Sequence, residues 1–292
     1  MKLLKNSFIH IFSVLLLLII ATFPLVIFNM GDRVAINFEG IFEEMKQFFS
    51  GLFTGSSFYY EQGDRIRSIL TDISRYFKFS FFYLFWSSSI ILLLSFILGI
   101  YFWRQSNKLL NNFLGFLGMI PDFIFISILQ ILVVIFYQKT GVRLAKVATP
   151  STEDPAILLP LITLVLIPLI YIVRTLNERT QDVLREDYIL TAISKGIKKR
   201  NIYLYHVTTN VTPFLKADLH KILAIMISNL FIVEYLFNTG GITALLFQHQ
   251  MKFGYQYNLV IFCFFALFLL YVLLFFYLKM LILLVERILR HD

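Results

Sequence analysis

The run IILLLSFILGIYFW, residues 90–103, decides the solvent in which this chain folds. It carries no charge, and its apolar side chains follow one another without the alternation of a barrel strand. Similar runs recur along the chain. Windows of about 20 predominantly apolar residues fall at 8–28, 80–103, 113–137, 157–175, 219–238 and 258–284. Lipid offers no partner to a bare backbone, so such segments must be helices. Composition agrees, with 58% of residues hydrophobic and 15% charged, against about 25% charged in an ordinary soluble domain. The reading is an all-α membrane protein with six transmembrane helices.

The start of the chain has a basic residue followed by an apolar stretch, as a signal peptide would. The stretch 8–28 is long enough to cross a bilayer, and no A-x-A-like cleavage site follows. It is expected to be retained as the N-terminal transmembrane helix, residues 1–28. Six spans place both ends on one side, and the basic residues choose which. Most of the 26 Lys and Arg fall in segments that lie inside if the N-terminus is cytoplasmic, and the opposite segments are nearly neutral. Both termini are therefore expected in the cytoplasm. The same bias explains the net charge of +8 without any nucleic acid.

Residues 29–79 become an extracellular loop, too polar to span yet aromatic throughout, with short helices expected at 39–50 and 64–76. It is either simply a folded loop or a lid and docking surface for whatever delivers a substrate. The remaining part, 80–292, is expected to be a five-helix core carrying a cytoplasmic segment at 176–218.

Several chemistries lack their residues. Cys263 is the single cysteine, so neither a disulfide nor a CxxC metal site is available. His10, His206, His220, His249 and His291 are scattered without an HExxH or an i, i+4 pair, and no metal site is expected. GxxxxGK[ST] does not occur, so the chain holds no ATP by a P-loop. No GxSxG occurs either, and the serines at 87–89 fit close helix packing. The expectation is a chain that is not an enzyme and holds no cofactor.

Two carboxylates fall inside the predicted spans, Asp122 and Glu234. A charge at bilayer depth costs roughly 2.5–3.5 kcal/mol on insertion scales, so such residues face an interior, a cavity or a partner. Each is either a member of a structural polar pair or part of a translocation pathway. Asp122 follows Pro121, which would free a carbonyl within the third span.

The segment EDYILTAISKGIKKRNIYLYHVTTN, residues 186–210, is the polar exception in the second half of the chain. Residues 181–195 contain no proline or glycine, and Leu184, Tyr188 and Ala192 at i, i+4, i+8 with Ile189 and Ile193 beside them predict an amphipathic helix. Gly196 permits a sharp turn. Ile202 and Tyr205 suggest a second short helix, and Pro213 marks the approach to the fifth span. Such an element either lies on anionic headgroups or is a knob for a cytosolic partner.

This segment resembles the cytoplasmic EAA loop of bacterial ABC importer permeases, in the dipeptide/oligopeptide/nickel branch, which reads D-Y-x-x-T-A-x-x-K-G and then H-A-x-x-N. Asp187, Tyr188, Thr191, Ala192, Lys195 and Gly196 match the first part, and His206 and Asn210 the second. NLFIVEYLFNTGGI (229–242) is similar to V-x-E-x-I-F-x-x-P-G-L-G, with Glu234, Phe237 and Gly240 retained, and GMIPDFIFISILQILVVIF (118–136) to the third span. The chain departs from the pattern near Thr239, where the branch has proline. It also has Arg75-Tyr76-Phe77-Lys78 in place of L-P-x-T, and FGYQYNLV lacks D-x-P.

The resemblance implies a type I ABC importer permease with a coupling helix that sits in a groove of an ATPase. It further implies a second homologous permease subunit, two ATP-binding cassette subunits that bind ATP and Mg, an extracellular substrate-binding protein, and peptide cargo. The departures keep open a transport-inactive scaffold or sensor. An intramembrane hydrolase is the alternative from a different class.

Overall fold

The computed structural model describes residues 15–29, 34–102, 115–151 and 153–289. Of the first predicted span, residues 8–14 lie outside the described residues, Leu15–Val26 is helical (α1), and Ile27 and Phe28 already belong to a strand. Strands β1 (Ile27–Asn29) and β2 (Val34–Ile36) then pair antiparallel, Phe28 opposite Ala35. Asn37 caps α2 (Phe38–Thr54), its side chain accepting from the Gly40 N–H at 3.2 Å, with Glu39 in the first turn where the helix dipole favours an acid. A short 3-10 turn at Ser56–Phe58 leads into the hairpin β3 (Tyr59–Gln62) and β4 (Arg65–Ser68).

The helix expected at 64–76 is corrected here. Its first residues form β4, and the rest is already the beginning of α3 (Ile69–Phe96), which ends in a π turn, Ile97–Phe102. The second span therefore starts earlier than residue 80. Hydropathy marks the lipid-facing part of a helix, whereas the helix itself runs on through Arg75 and Lys78, where charged side chains are no obstacle outside the hydrocarbon.

The third span is α4 (Asp122–Thr140). Pro121 stands at its N-cap with φ −57° and ψ 140°, and its carbonyl accepts from Ile124 at 3.0 Å and Phe125 at 3.2 Å. Proline is suited to a helix start, where its missing N–H would have had no partner. It therefore begins the helix instead of kinking it, and the Leu117 carbonyl, four residues before it, accepts from the Ile120 N–H at 3.3 Å and is not released.

The remaining long helices are α5 (Leu158–Leu184), α8 (Leu219–Phe237) and α9 (Tyr257–Leu289), with α6 (Asp187–Ser194) and α7 (Thr208–Ala217) between α5 and α8. Among the described residues, five helices are long and apolar enough to cross a membrane, namely Ile69–Ile100, Asp122–Thr140, Leu158–Leu184, Leu219–Phe237 and Tyr257–Leu289.

The chain divides into two compact units, Met1–Lys78 with Gly241–Phe268, and Phe79–Gly240 with Leu269–Asp292. In the first, Phe48 of α2 packs edge-on against Tyr257, ring centroids 5.5 Å apart. In the second, α8 buries Leu219, Ile222, Leu223, Met226, Leu230, Val233 and Phe237, the i, i+3, i+4, i+7 stripe of a helix with one face in a core, and lies against α5. Fully burying each such side chain contributes about 1.5–3 kcal/mol where water is the alternative. At bilayer depth the gain is packing. Two polar residues interrupt the stripe, Asn229 and Glu234. Cys263 is buried, as a small apolar side chain would be.

Candidate functional site

The second unit holds two polar constructions, one around Gly196 and one around Glu234. The first begins where α5 ends. A single helix over 181–195 was expected, but the helix breaks at Arg185–Glu186, and residues 181–184 belong to α5. Glu186 is extended (φ −68°, ψ 143°), which starts α6 afresh. The inward face of α6 is also different from the expected stripe. Ile189 and Ala192, three apart, are buried, whereas Tyr188, Leu190 and Ile193 are exposed. α6 packs against the π turn Ile202–Val207.

Gly196 does what its sequence position predicts. It has φ +77°, the left-handed region that costs other residues strain. Its N–H donates to the Ile193 carbonyl at 2.9 Å, and the Ile197 N–H reaches back to Ala192 at 3.2 Å. That pair of bonds is a Schellman motif, which satisfies the last carbonyls of a helix. A Cβ at Gly196 would meet nothing within 4 Å, so the backbone alone selects glycine.

Asp187 opens α6, and its carbonyl accepts from the Thr191 hydroxyl at 2.9 Å. Partial burial, together with the neighbouring Glu186, raises the pKa of the Tyr188 hydroxyl. Lys195 is the C-cap residue and is exposed. After the turn, residues Lys199–Asn201, Ile202–Val207 and α7 are helical in succession. The expected second helix is therefore longer than the sequence suggested. Pro213 lies within α7 on its exposed side, where the loss of one helical bond is not sealed in the core. His206 and Asn210 are one turn apart, and the Asn210 amide donates to the His206 carbonyl at 2.7 Å.

This segment is fastened to the long helices by side chains that sequence reasoning did not single out. The Arg179 guanidinium of α5 stands 4.6 Å from the centroid of the Phe214 ring on α7. Lys216 pairs with Glu286 of α9, both about a quarter exposed. Tyr171 of α5 donates to Asp218 at 3.4 Å and lies under the Lys221 ammonium at 4.4 Å. These partners are 35 to 70 residues apart in sequence, so no local pattern announces them.

The second construction centres on Glu234, which is 2% exposed near the end of α8. The Ser80 hydroxyl of α3, fully buried, donates to its Oε1 at 2.5 Å. The Tyr83 hydroxyl, one turn along α3, donates to the Ala156 carbonyl at 2.7 Å. The Ala156 N–H in turn donates to Thr149 Oγ1 at 3.1 Å, and the Thr149 N–H to the Phe237 carbonyl at 2.8 Å. Gln130 of α4 donates to the carbonyls of Val147 and Leu236, at 2.8 and 3.3 Å. The end of α8 is thereby stitched to α3, α4 and the segment before α5.

The absence of the proline expected near Thr239 has a local reason. Asn238 takes the left-handed conformation (φ 50°, ψ 47°), and the Thr239 N–H donates to the Glu234 carbonyl at 3.2 Å. A proline at 239 has no N–H to give, and position 240, six residues after Glu234 as in the family pattern, is Gly240 with φ +71°, which proline cannot adopt.

Asp122 is not part of this cluster. It occupies the first turn of α4, half-buried, where the helix dipole favours a carboxylate. Gln130, which does reach α8, lies eight residues further on, about 12 Å along the axis. The expected mid-span position of Asp122 is thus replaced by a helix-end one.

No curated protein matches the chain. The profile of the binding-protein-dependent transport system inner membrane component family matches residues 91–291, a stretch that includes α6, Gly196 and Glu234 but not Ser80 or Tyr83. The chain belongs to that family and is the multi-pass membrane permease subunit of an ABC importer.

Proposed function

We propose that the segment 176–218 is the handle through which partner ATPases drive this permease, and that the cargo is a peptide. The observation that carries the coupling is the two-faced α6. Ile189 and Ala192 root it, while Tyr188, Leu190 and Ile193 are turned outward, with Lys195, Lys198, Lys199 and Arg200 exposed beside them. An apolar patch rimmed by charge offers a partner both a desolvated centre and a fixed orientation. In this reading Asp187, Tyr188, Thr191, Ala192, Lys195, Gly196, His206 and Asn210 form the ATPase-coupling element, with Ala192 on its buried side.

The proposed assembly has a second homologous permease, two ATP-binding cassette subunits holding ATP and Mg, and an extracellular binding protein. The termini are cytoplasmic, and the chain itself performs no catalysis. Its six spans move as a rigid-body switch when the ATPases close. Peptide cargo is supported by the resemblance of residues 186–210 and 229–242 to the dipeptide/oligopeptide/nickel branch. Glu234 is proposed to act at the outer end of the pathway and Asp122 at its inner end.

The test is purification of the tagged chain from its native host in mild detergent, beside a Gly196→Trp variant. ATPase subunits recovered with the wild type and lost with the variant support the coupling surface. ATPases absent from both, under conditions that preserve other importer complexes, would sink it. Uptake of labelled tripeptides by the reconstituted assembly, against chelated nickel, tests the cargo.

A further inference from the structure

The segment between α1 and α3 folds together with residues 253–258 around an open cleft of about 760 Å³, the size of a small-ligand site. The first unit supplies its entire wall. α2 contributes Glu44, Gln47 and Phe48, β3 contributes Tyr59 and Glu61, and the approach to α9 contributes Tyr255.

The wall is built firmly. α2 closes on the 3-10 turn so tightly that a Cβ at Gly51 would lie 2.1 Å from Ser57 Oγ, and that hydroxyl donates to the Phe48 carbonyl at 2.8 Å. Glu61 and Gln256 exchange two hydrogen bonds, the Glu61 N–H to Oε1 at 2.8 Å and Nε2 to the Glu61 carbonyl at 2.7 Å. Asn258 donates to the Tyr59 carbonyl, and the Tyr255 hydroxyl to that of Ala21. The backbone of Glu61 is therefore pinned while its carboxylate stays out of these bonds.

The charge of the cleft opposes that of the chain. The protein carries a net +8, yet Glu44 and Glu61 line the cleft and no Lys or Arg does among the described residues. Arg67, on β4, is engaged by Asp72 at 3.0 Å and by Gln62 at 2.7 Å. Neither Glu44 nor Glu61 forms an ion pair among the described residues. The field of Glu44 reaches the aromatic wall: burial raises the Tyr255 pKa first, and Tyr257 and then Glu44 add to it. Carboxylates set among aromatic rings suit one class of ligand, a cation that can lie over a ring and be hydrogen-bonded at its edge.

We infer that this cleft binds an organic cation, a guanidinium or alkylammonium group, borne by a free amine or by the basic side chain of a short peptide. The binding stands by itself. Only its meaning for cargo selection rests on the importer reading, which it deepens from peptides to basic peptides.

The full chain in zwitterionic nanodiscs is titrated calorimetrically, without ATP, with butylguanidinium, capped Ala-Arg-Ala and capped Ala-Gln-Ala. The two cationic probes are expected to bind and the neutral peptide not to. Glu44→Gln and Glu61→Gln should each weaken binding by about tenfold, the scale of one charge-assisted hydrogen bond. Glu43→Gln, on the same helix but outside the cleft, should leave it unchanged. Glu44→Lys should turn the preference toward capped Ala-Glu-Ala, a gain that misfolding does not produce. Binding of Ala-Arg-Ala alone supports the site and points to peptide cargo, whereas butylguanidinium alone supports it and points to free amines. No binding of either cation, equal binding of the neutral peptide, or affinity unchanged in the Glu44→Gln/Glu61→Gln double variant overturns the inference. A loss of ATPase partners in the purification test would leave these titrations untouched, so the two failures are distinguishable.

Discussion

At Gly196 the effect of backbone conformation can be separated from the effect of size. Its φ is +77° and a Cβ there touches nothing within 4 Å, so a substitution within the chain costs only the left-handed conformation. That cost is about 1–2 kcal/mol for an ordinary L-residue. About 0.4–1 kcal/mol returns, because the unfolded chain loses freedom when glycine is replaced. The net penalty of about 1 kcal/mol lowers the population of the intact turn roughly fivefold. Asparagine tolerates the left-handed region, and leucine, whose side chain has the same four-atom branched skeleton, does not. The expected order is therefore Gly, then Asn, then Ala and Leu together, with β-branched Val last. Two readouts apply: coupled ATPase activity of the reconstituted assembly, and hydrogen exchange of the Gly196 and Ile197 amides, which hold the Ile193 and Ala192 carbonyls. Equal losses for Asn and Leu would show that a partner meets this position and size governs it. Full activity and full protection in the Val variant would refute the argument from the turn.

Other substitutions test the remaining constructions. Ser80→Ala removes a buried hydroxyl donor to Glu234 and should destabilise the detergent-solubilised protein by about 1–3 kcal/mol. Glu234→Gln keeps an acceptor for Ser80 and should cost less, so a thermal scan showing the reverse order would contradict the assigned contact. Lys216→Met should destabilise by about 1 kcal/mol, between an exposed and a buried ion pair. Adding Glu286→Met should recover part of that loss in a double-mutant cycle, and strict additivity would argue against the pair. His249 is packed against Tyr60 and Phe253 and faces the Glu61 carbonyl. Burial lowers its pKa from the usual 6.5, outweighing the raising effects of that carbonyl and Asp72, while Arg67 lowers it further. As pH falls below 6.5 the unfolded ring takes up a proton that the folded one refuses. Stability is then lost until the folded ring also titrates, and His249→Gln should flatten this dependence in thermal unfolding at pH 5 to 7.

What the sequence disclosed followed from how local each signal is. The apolar runs of α5, α8 and α9 are legible because hydrocarbon leaves a backbone few options; each helix starts within one residue of the expected position, while α5 runs nine residues and α9 five beyond the expected ends. Gly196 is legible for a similar reason, since one residue type answers one backbone requirement. Helix ends are less legible. α3 continues through Arg75 and Lys78 to Ile69 because leaving the hydrocarbon does not end a helix, and the break at Arg185–Glu186 has neither proline nor glycine to announce it. The inward face of α6 was misread because Tyr188 and Ile193 are apolar but belong to the exposed side. The partners of Glu234 and Lys216 were invisible, being 154 and 70 residues away. Only the packing of α3 and α9 in the second unit brings them close.

The two constructions share one helix, and this has a mechanical consequence for the proposed coupling. α7 and α8 are separated by Asp218 alone, and Glu234 lies one turn from the far end of α8. The 19 residues of α8 measure about 28 Å at 1.5 Å per residue, close to the thickness of the hydrocarbon. A helix that buries a continuous stripe from Leu219 to Phe237 shifts as a rod more readily than it bends. A pull on the Gly196 turn, passed through α7, would therefore arrive at the Ser80–Glu234 contact. That contact must either travel with α8 or break. A covalent link between positions 80 and 234 should then leave ATPase binding intact while arresting uptake, whereas the same link between Lys216 and Glu286 should interfere at the handle itself. Unimpaired uptake with the first link in place would mean that α8 and α3 move together, and the switch would have to lie elsewhere in the bundle.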